Sequence, residues 1–256
     1  MKIQGSIKWL LPAIVMFFGT KVSAQQIDLG ARGGISIPNL TAGSGEETPL
    51  SKGYSSRQGP DFGIFGEYHI SKLFSIEAMI NYSSQGGKKN GFQAFPVPAD
   101  KATQLPPGTT YLYADFKSQA KFNYLMVPIL AKFGWNLGPK SPLRLYVDAG
   151  PFFGFLLNGK QVISGGTSTV YMDEKKTIPL GPQDFNSTVD IKDQLNTFNF
   201  GVSGNVGLAY LFGRNQVFVE GGGNFGFIDI QKGSANGKNK TGAATASVGY
   251  AYRIRK

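Results

Sequence analysis

The chain has 256 residues, 35 of them Gly and none Cys, is 13% aromatic, and carries a formal net charge of +10. Without Cys there is no disulfide framework, thiol nucleophile, Cys-based metal centre or lipid-anchored cysteine. The basic balance suits nucleic acid or an anionic membrane surface. No nucleic-acid-binding motif accompanies it, and many of the lysines fall in segments that read as solvated loops.

Residues 1–24 read as a secretory signal. Lys2 and Lys8 make its basic region, Leu10–Gly19 its apolar core, and Val22-Ser23-Ala24 a small-residue cleavage site before Gln25. That core is shorter than the ~20 residues of a spanning helix, and no later segment supplies one. The expected mature domain is therefore 25–256, exported, with cleavage after Ala24. From Ile27 onward apolar and polar residues alternate with period two, which predicts β-strands with one face per parity. The first strand is expected over 27–38, with Ile27, Leu29, Ala31, Ile35 and Ile37 against Asp28, Arg32 and Ser36. The second (60–70) and third (73–84) are joined by a tight turn at Ser71-Lys72. They set Phe62, Ile64, Tyr68, Ile76, Ile80 and Tyr82 against Asp61, Glu67, His69, Glu77 and Asn81.

The clearest hairpin is Gln119–Leu157, two long runs about a Gly/Pro turn. Leu125, Val127, Ile129, Ala131, Phe133 and Trp135 share one parity, opposite Tyr124, Met126, Pro128 and Lys132. Leu143, Leu145, Val147, Ala149, Phe153 and Phe155 oppose Arg144, Tyr146, Asp148, Gly150 and Gly154. Such runs exceed the ~5–6 residues of an ordinary strand and match the ~9–11 residues plus overhang of a tilted membrane strand. Strands over 196–212, 216–230 and 243–255 complete a set of eight. The connections alternate long and short. Loops are expected over 39–58, 85–118 and 158–195, where VISGG and TVYM read as candidate small strands, and tight turns at Ser71, Pro139 and Gly213.

This predicts an all-β, eight-stranded antiparallel up-and-down transmembrane barrel with long extracellular loops and short periplasmic turns, in the outer membrane. A soluble barrel would invert the pattern, with an apolar lumen and a charged wall. Here the apolar parity is nearly free of charge, and the other is rich in Gly, Ser and Asn.

Three stretches carry a family resemblance: FNYLMVPILAKFGW, LYVDAGPFFGFLL and FNFGVSGNVGLAYLF. They resemble wall strands of the Bacteroidetes-type outer-membrane β-barrel domain family, which includes PorT-like proteins. The resemblance covers most of 25–256 and implies an OmpA/OmpX-like barrel without a reaction of its own. Some members act in type IX secretion.

No catalytic, cofactor or metal site is expected. His69, the one histidine, lies beside a periplasmic turn, where no Ser–His or Asp–His partner is evident from sequence, and reads as a lumen residue. Asp173-Glu174 and Glu46-Glu47 lack calcium-loop spacing, and Gly221-Gly222-Gly223 precedes no helix and is no phosphate loop. The inward parity predicts an ionic layer filling the lumen, of Asp28, Arg32, Glu67, Glu77, Lys132, Arg144, Asp148, Glu220, Arg253 and Arg255. Arg253 or Arg255 is expected near Asp28, Arg32 near Glu67, and Lys132 near Glu77. The expected partners are outer-membrane lipid, lipopolysaccharide phosphates facing the loop lysines, and a protein met by the loops. A narrow small-solute channel and an accessory role in secretion are the alternatives.

Overall fold

The computed structural model describes residues 26–40, 48–233 and 237–255. The expected leader and Glu46-Glu47 lie outside them. Eleven strands form one antiparallel sheet: β1 Gln26–Pro38, β2 Gly59–His69, β3 Phe74–Pro96, β4 Tyr111–Asn136, β5 Leu143–Ser164, β6 Thr167–Tyr171, β7 Pro179–Asp184, β8 Ser187–Asp190, β9 Phe198–Phe212, β10 Asn215–Gly226 and β11 Gly242–Arg255. Eight of them close a ring. β1 to β5 pair in succession, β5 pairs with β9, β9 with β10, β10 with β11, and β11 with β1. No helix among the described residues is long and apolar enough to cross a membrane. A closed ring of strands is the other arrangement that satisfies every backbone group in lipid.

The expected faces hold on all eight wall strands. Ile64 and Val248 are each 62% exposed on the outer wall, whereas Tyr146 and Phe152 are each 1% exposed inside. Trp135, Tyr68, Phe212, Tyr250 and Tyr252 face outward towards the turn end, and Phe155, Phe198 and Phe227 towards the loop end, as interfacial aromatic girdles do.

Strand length is where expectation and structure part. β3, β4 and β5 have 23, 26 and 22 residues, so most of 85–118 is a hairpin rather than a loop. The reason is visible on β4. Below Asn123 its outward residues are apolar. Above it they are Asp115, Lys117, Gln119 and Lys121, while Leu112, Ala114, Phe116, Ala120 and Phe122 are buried. The upper strand alternates with the polarity of a soluble sheet, opposite to the membrane strands, and the Pro-rich tip interrupts it. The 158–195 loop is likewise structured. TVYM falls in β6 as expected, but VISGG completes β5 and turns. β6 and β7 extend the sheet beside β4, and β8 beside β5. Leu112, Ala114, Phe116, Val170 and Phe185 form the core of this extramembrane layer, with the Phe116 and Phe185 rings stacked 4.7 Å apart.

The seventh wall strand ends at Gly226 instead of Ile230. Ile230 turns over the barrel mouth, its N–H bonds to the Asn239 carbonyl at 2.8 Å, and its side chain is buried in the roof.

Candidate functional site in the barrel lumen

Three carboxylates stand in a row across the turn end. Asp28 is opposite Glu67, and Glu67 is opposite Glu77. Like charges directly opposite repel, so the row requires cations. Arg253 supplies one, forking onto Asp28 with Nε–Oδ1 at 2.7 Å and Nη2–Oδ2 at 2.8 Å. Lys132 supplies the other, reaching Glu67 Oε2 at 3.0 Å and Glu77 Oε2 at 2.9 Å. Its ammonium also lies 4.2 Å from the centre of the Tyr146 ring, a cation–π contact. His69 Nε2 is 2.9 Å from Asp28 Oδ2, so an Asp–His contact that sequence left unseen does form. Cross-strand from His69 is Ser75, whose hydroxyl donates to Glu67 Oε1 at 2.6 Å.

Arg32 departs from expectation. It faces Gly63 on one side and Gly249 on the other, so no neighbouring side chain meets it and the guanidinium crosses the lumen. It pairs with Glu220 on β10 and, at 3.7 Å, with Asp61, not with Glu67. Glu220 also accepts the Tyr146 hydroxyl at 2.8 Å and the Ser247 hydroxyl at 2.9 Å. Asp148 is opposite Lys132 in register, but the lysine turns away and Asp148 accepts instead from Asn205 Nδ2 at 2.8 Å. Arg144 forms no ion pair among the described residues; it donates to the Lys72 carbonyl at 3.0 Å and to Asn136 Oδ1 at 3.4 Å. The side chain of Arg255 lies outside the described residues.

Sequence reasoning also missed the lumen's apolar parts. Phe65, Met79, Tyr146, Ala209, Phe218 and Ala251 cluster among the charges. Two rings lie flat on the wall because the strand beside them carries Gly: a Cβ on Gly207 would overlap the Tyr146 ring, and one on Gly249 the Phe218 ring. At the loop end Phe122, Tyr124, Met126, Phe152 and Leu156 meet Leu40, Leu195 and Ile230 from the loops, forming a roof. The last three are lone apolar residues in polar segments, and that contrast is their sequence signal. Arg57, a buried cation of the first loop, bonds to Ser84 Oγ and to the Gln85 carbonyl, and no pattern in the sequence marked it.

Asp28, Glu67 and His69 place three ligand atoms within 4.8 Å of one another, a spacing that a metal ion can use. Two of these groups already hold Arg253 and Lys132, so an ion would have to displace a cation from each. The arrangement is chemically a charge-compensated barrier rather than a vacant ligand set.

No curated protein matches the chain. Among solved structures, Neisserial surface protein A (NspA) is 13% identical, covering 88% of this chain and 96% of that one at a TM-score of 0.40. OprG of Pseudomonas aeruginosa is 14% identical, covering 89% and 95% at 0.40. Ail of Yersinia pestis, solved in complex with the heparin analogue sucrose octasulfate, is 12% identical, covering 90% and 99% at 0.37. A family model described as "Outer membrane protein beta-barrel domain" matches residues 23–232. With its ring of eight strands and its apolar outer wall, the chain belongs to this family of outer-membrane β-barrel proteins.

Proposed function

We propose that the protein is a non-enzymatic barrel that seals its own lumen and works through the structured layer outside the membrane. The observation that carries this is filling at two heights. The Asp28–Arg253 and Glu67–Lys132–Glu77 groups occupy the periplasmic half, and the Phe122–Phe152–Leu195–Ile230 roof closes the outer end. Eight strands leave room for side chains but not for a wide aqueous path. Purified protein in a planar bilayer is expected to give no large, steady conductance; a persistent ohmic channel would sink this reading. Between the two fillings, Arg32 Nε, Ser36 Oγ, Asn81 Oδ1 and Gln85 Oε1 are buried without a hydrogen-bond partner. Such groups suit enclosed water and favour, as the second reading, a narrow small-solute path.

On the same reading the leader is removed after Ala24, which mass measurement of the mature chain checks. The extramembrane sheet of β6, β7, β8 and the upper parts of β3 to β5 is the surface a protein partner would meet. The PorT-like resemblance makes a secretion complex one such partner. Co-purification from native outer membrane identifies it, and normal export of secreted cargo in a deletion strain removes the secretion role.

A further inference from the structure

Lysines gather on the outer wall just above the apolar belt. Lys121 on β4 is directly opposite Lys160 on β5. Lys117 is two residues further along the same face of β4, and Lys88 on β3 is opposite Gln119, between them. Lys88, Lys117 and Lys160 are exposed and Lys121 half-buried. Cβ atoms directly opposite lie roughly 5 Å apart, and like charges there destabilise a sheet. The nearby acids do not relieve this. Asp190 on β8 is opposite Lys160, but its carboxylate accepts the Lys192 N–H at 2.9 Å. Asp115 is held by Lys176 at 3.1 Å. None of the four lysines forms an ion pair among the described residues.

Their height supplies the missing anion. Four residues separate Lys121 from Leu125, the uppermost apolar residue on the outer face of β4. At roughly 2.5 Å of height per tilted strand residue, the Lys121 Cα stands about 10 Å above that residue. The headgroup zone is about 5–8 Å thick on each side, and a lysine stem bends readily towards it. We propose that this lysine quartet binds the phosphates of a phosphorylated lipid in the outer leaflet, one phosphate bridging Lys121 and Lys160. Ammonium groups serve as point charges for phosphate, and the anion turns a repulsive pair into a bridged one. The proposal rests on the outer-membrane reading and gives its lipid contact a place on the wall.

The test uses the full mature chain folded in two bilayers, one of phosphatidylcholine and one containing bisphosphorylated lipid A. In phosphatidylcholine, Lys121→Gln removes a like-charge neighbour and is expected to raise the melting temperature. In lipid A it removes a phosphate ligand and is expected to lower it. Lys140→Gln, at the periplasmic turn, is expected to respond alike in both. By native mass spectrometry, the Lys121→Gln/Lys160→Gln pair should weaken retention of lipid A about tenfold, comparable to losing one charge-assisted contact. A shift of the same sign in both bilayers overturns the proposal. So does equal retention of dephosphorylated lipid A, or preference of the quartet for a soluble sulfated glycan in direct competition. A chain that folds in neither bilayer overturns the membrane reading itself, and the proposal with it.

Discussion

The β4–β5 hairpin is two structures on one pair of strands. Below Asn123 its outer face is Leu125, Val127, Ile129 and Phe133 and its inner face includes Lys132, Tyr146 and Asp148. Above it the outer face is charged and the inner face holds Leu112, Ala114 and Phe116. The backbone ladder runs on with one irregularity, between Asn123 and Tyr124. The solvent therefore decides which parity must be apolar, while the hydrogen bonds remain the same. Where the surroundings are lipid, polar groups collect inside and must satisfy one another; where they are water, the ordinary hydrophobic arrangement returns.

The largest expected effect breaks the lower half. Lys132→Ala leaves Glu67 and Glu77 buried without their shared cation, which costs about 3–5 kcal/mol, read by equilibrium urea unfolding in lipid vesicles. Combining it with Glu67→Gln and Glu77→Gln should recover most of the loss. No recovery would mean that packing on Tyr146, rather than charge, is the role of this lysine.

The next change locates the boundary. Val127→Arg puts a charge in hydrocarbon at a cost of about 2–4 kcal/mol, and Gln119→Arg on the same parity should cost close to nothing. Equal effects would show that the inversion at Asn123 is not the membrane surface. A smaller effect concerns inner-wall packing. Gly207→Ala drives a methyl into the Tyr146 ring, which its bond to Glu220 holds in place. Overpacking of this kind costs about 1–3 kcal/mol, measured as a lowered unfolding midpoint with the barrel still inserted.

The smallest effect belongs to the upper half alone. The turn between β6 and β7 is organised by the Asp173 carboxylate. Slight desolvation opposes its charge, but the Ile178 N–H at 2.9 Å, the Thr177 hydroxyl at 2.8 Å and the N–H groups of Thr177 and Lys175 outweigh this and hold its pKa below the usual aspartate range. A depressed carboxyl stabilises the turn above the unfolded-state pKa of about 3.9, and the contribution is lost as pH falls through the lower, folded value. Amide exchange across 173–178 should therefore lose protection on acidification while the barrel strands keep theirs. Asp173→Ala should remove the pH dependence.

The membrane half of the fold was legible because lipid enforces a strict alternation: Val147 outside and Tyr146 inside follow from parity alone. The upper strands were not, because YLYADFKSQAKF alternates with the opposite sign beside a Pro-rich tip. Within the lumen, parity named most charged residues but not their partners. Those depend on register and on what stands beside each side chain, which is how two flanking glycines send Arg32 to Glu220 instead of Glu67. His69 meets Asp28 only because Gln26 pairs with His69 on β2, a register that a single strand's pattern does not contain.

The seam between β1 and β11 joins the two ends of the chain. Its ionic contact, Arg253 to Asp28, spans 225 positions of sequence. A contact of such separation demands nearly the whole entropy of loop closure before it returns any stability. The seven other wall pairings join strands much nearer in the chain, β5 to β9 being the longest step among them. The Asp28–Arg253 fork is thus the natural last event of folding. Spectroscopic labels placed across it would time the moment at which an open, edge-bearing sheet becomes a sealed ring.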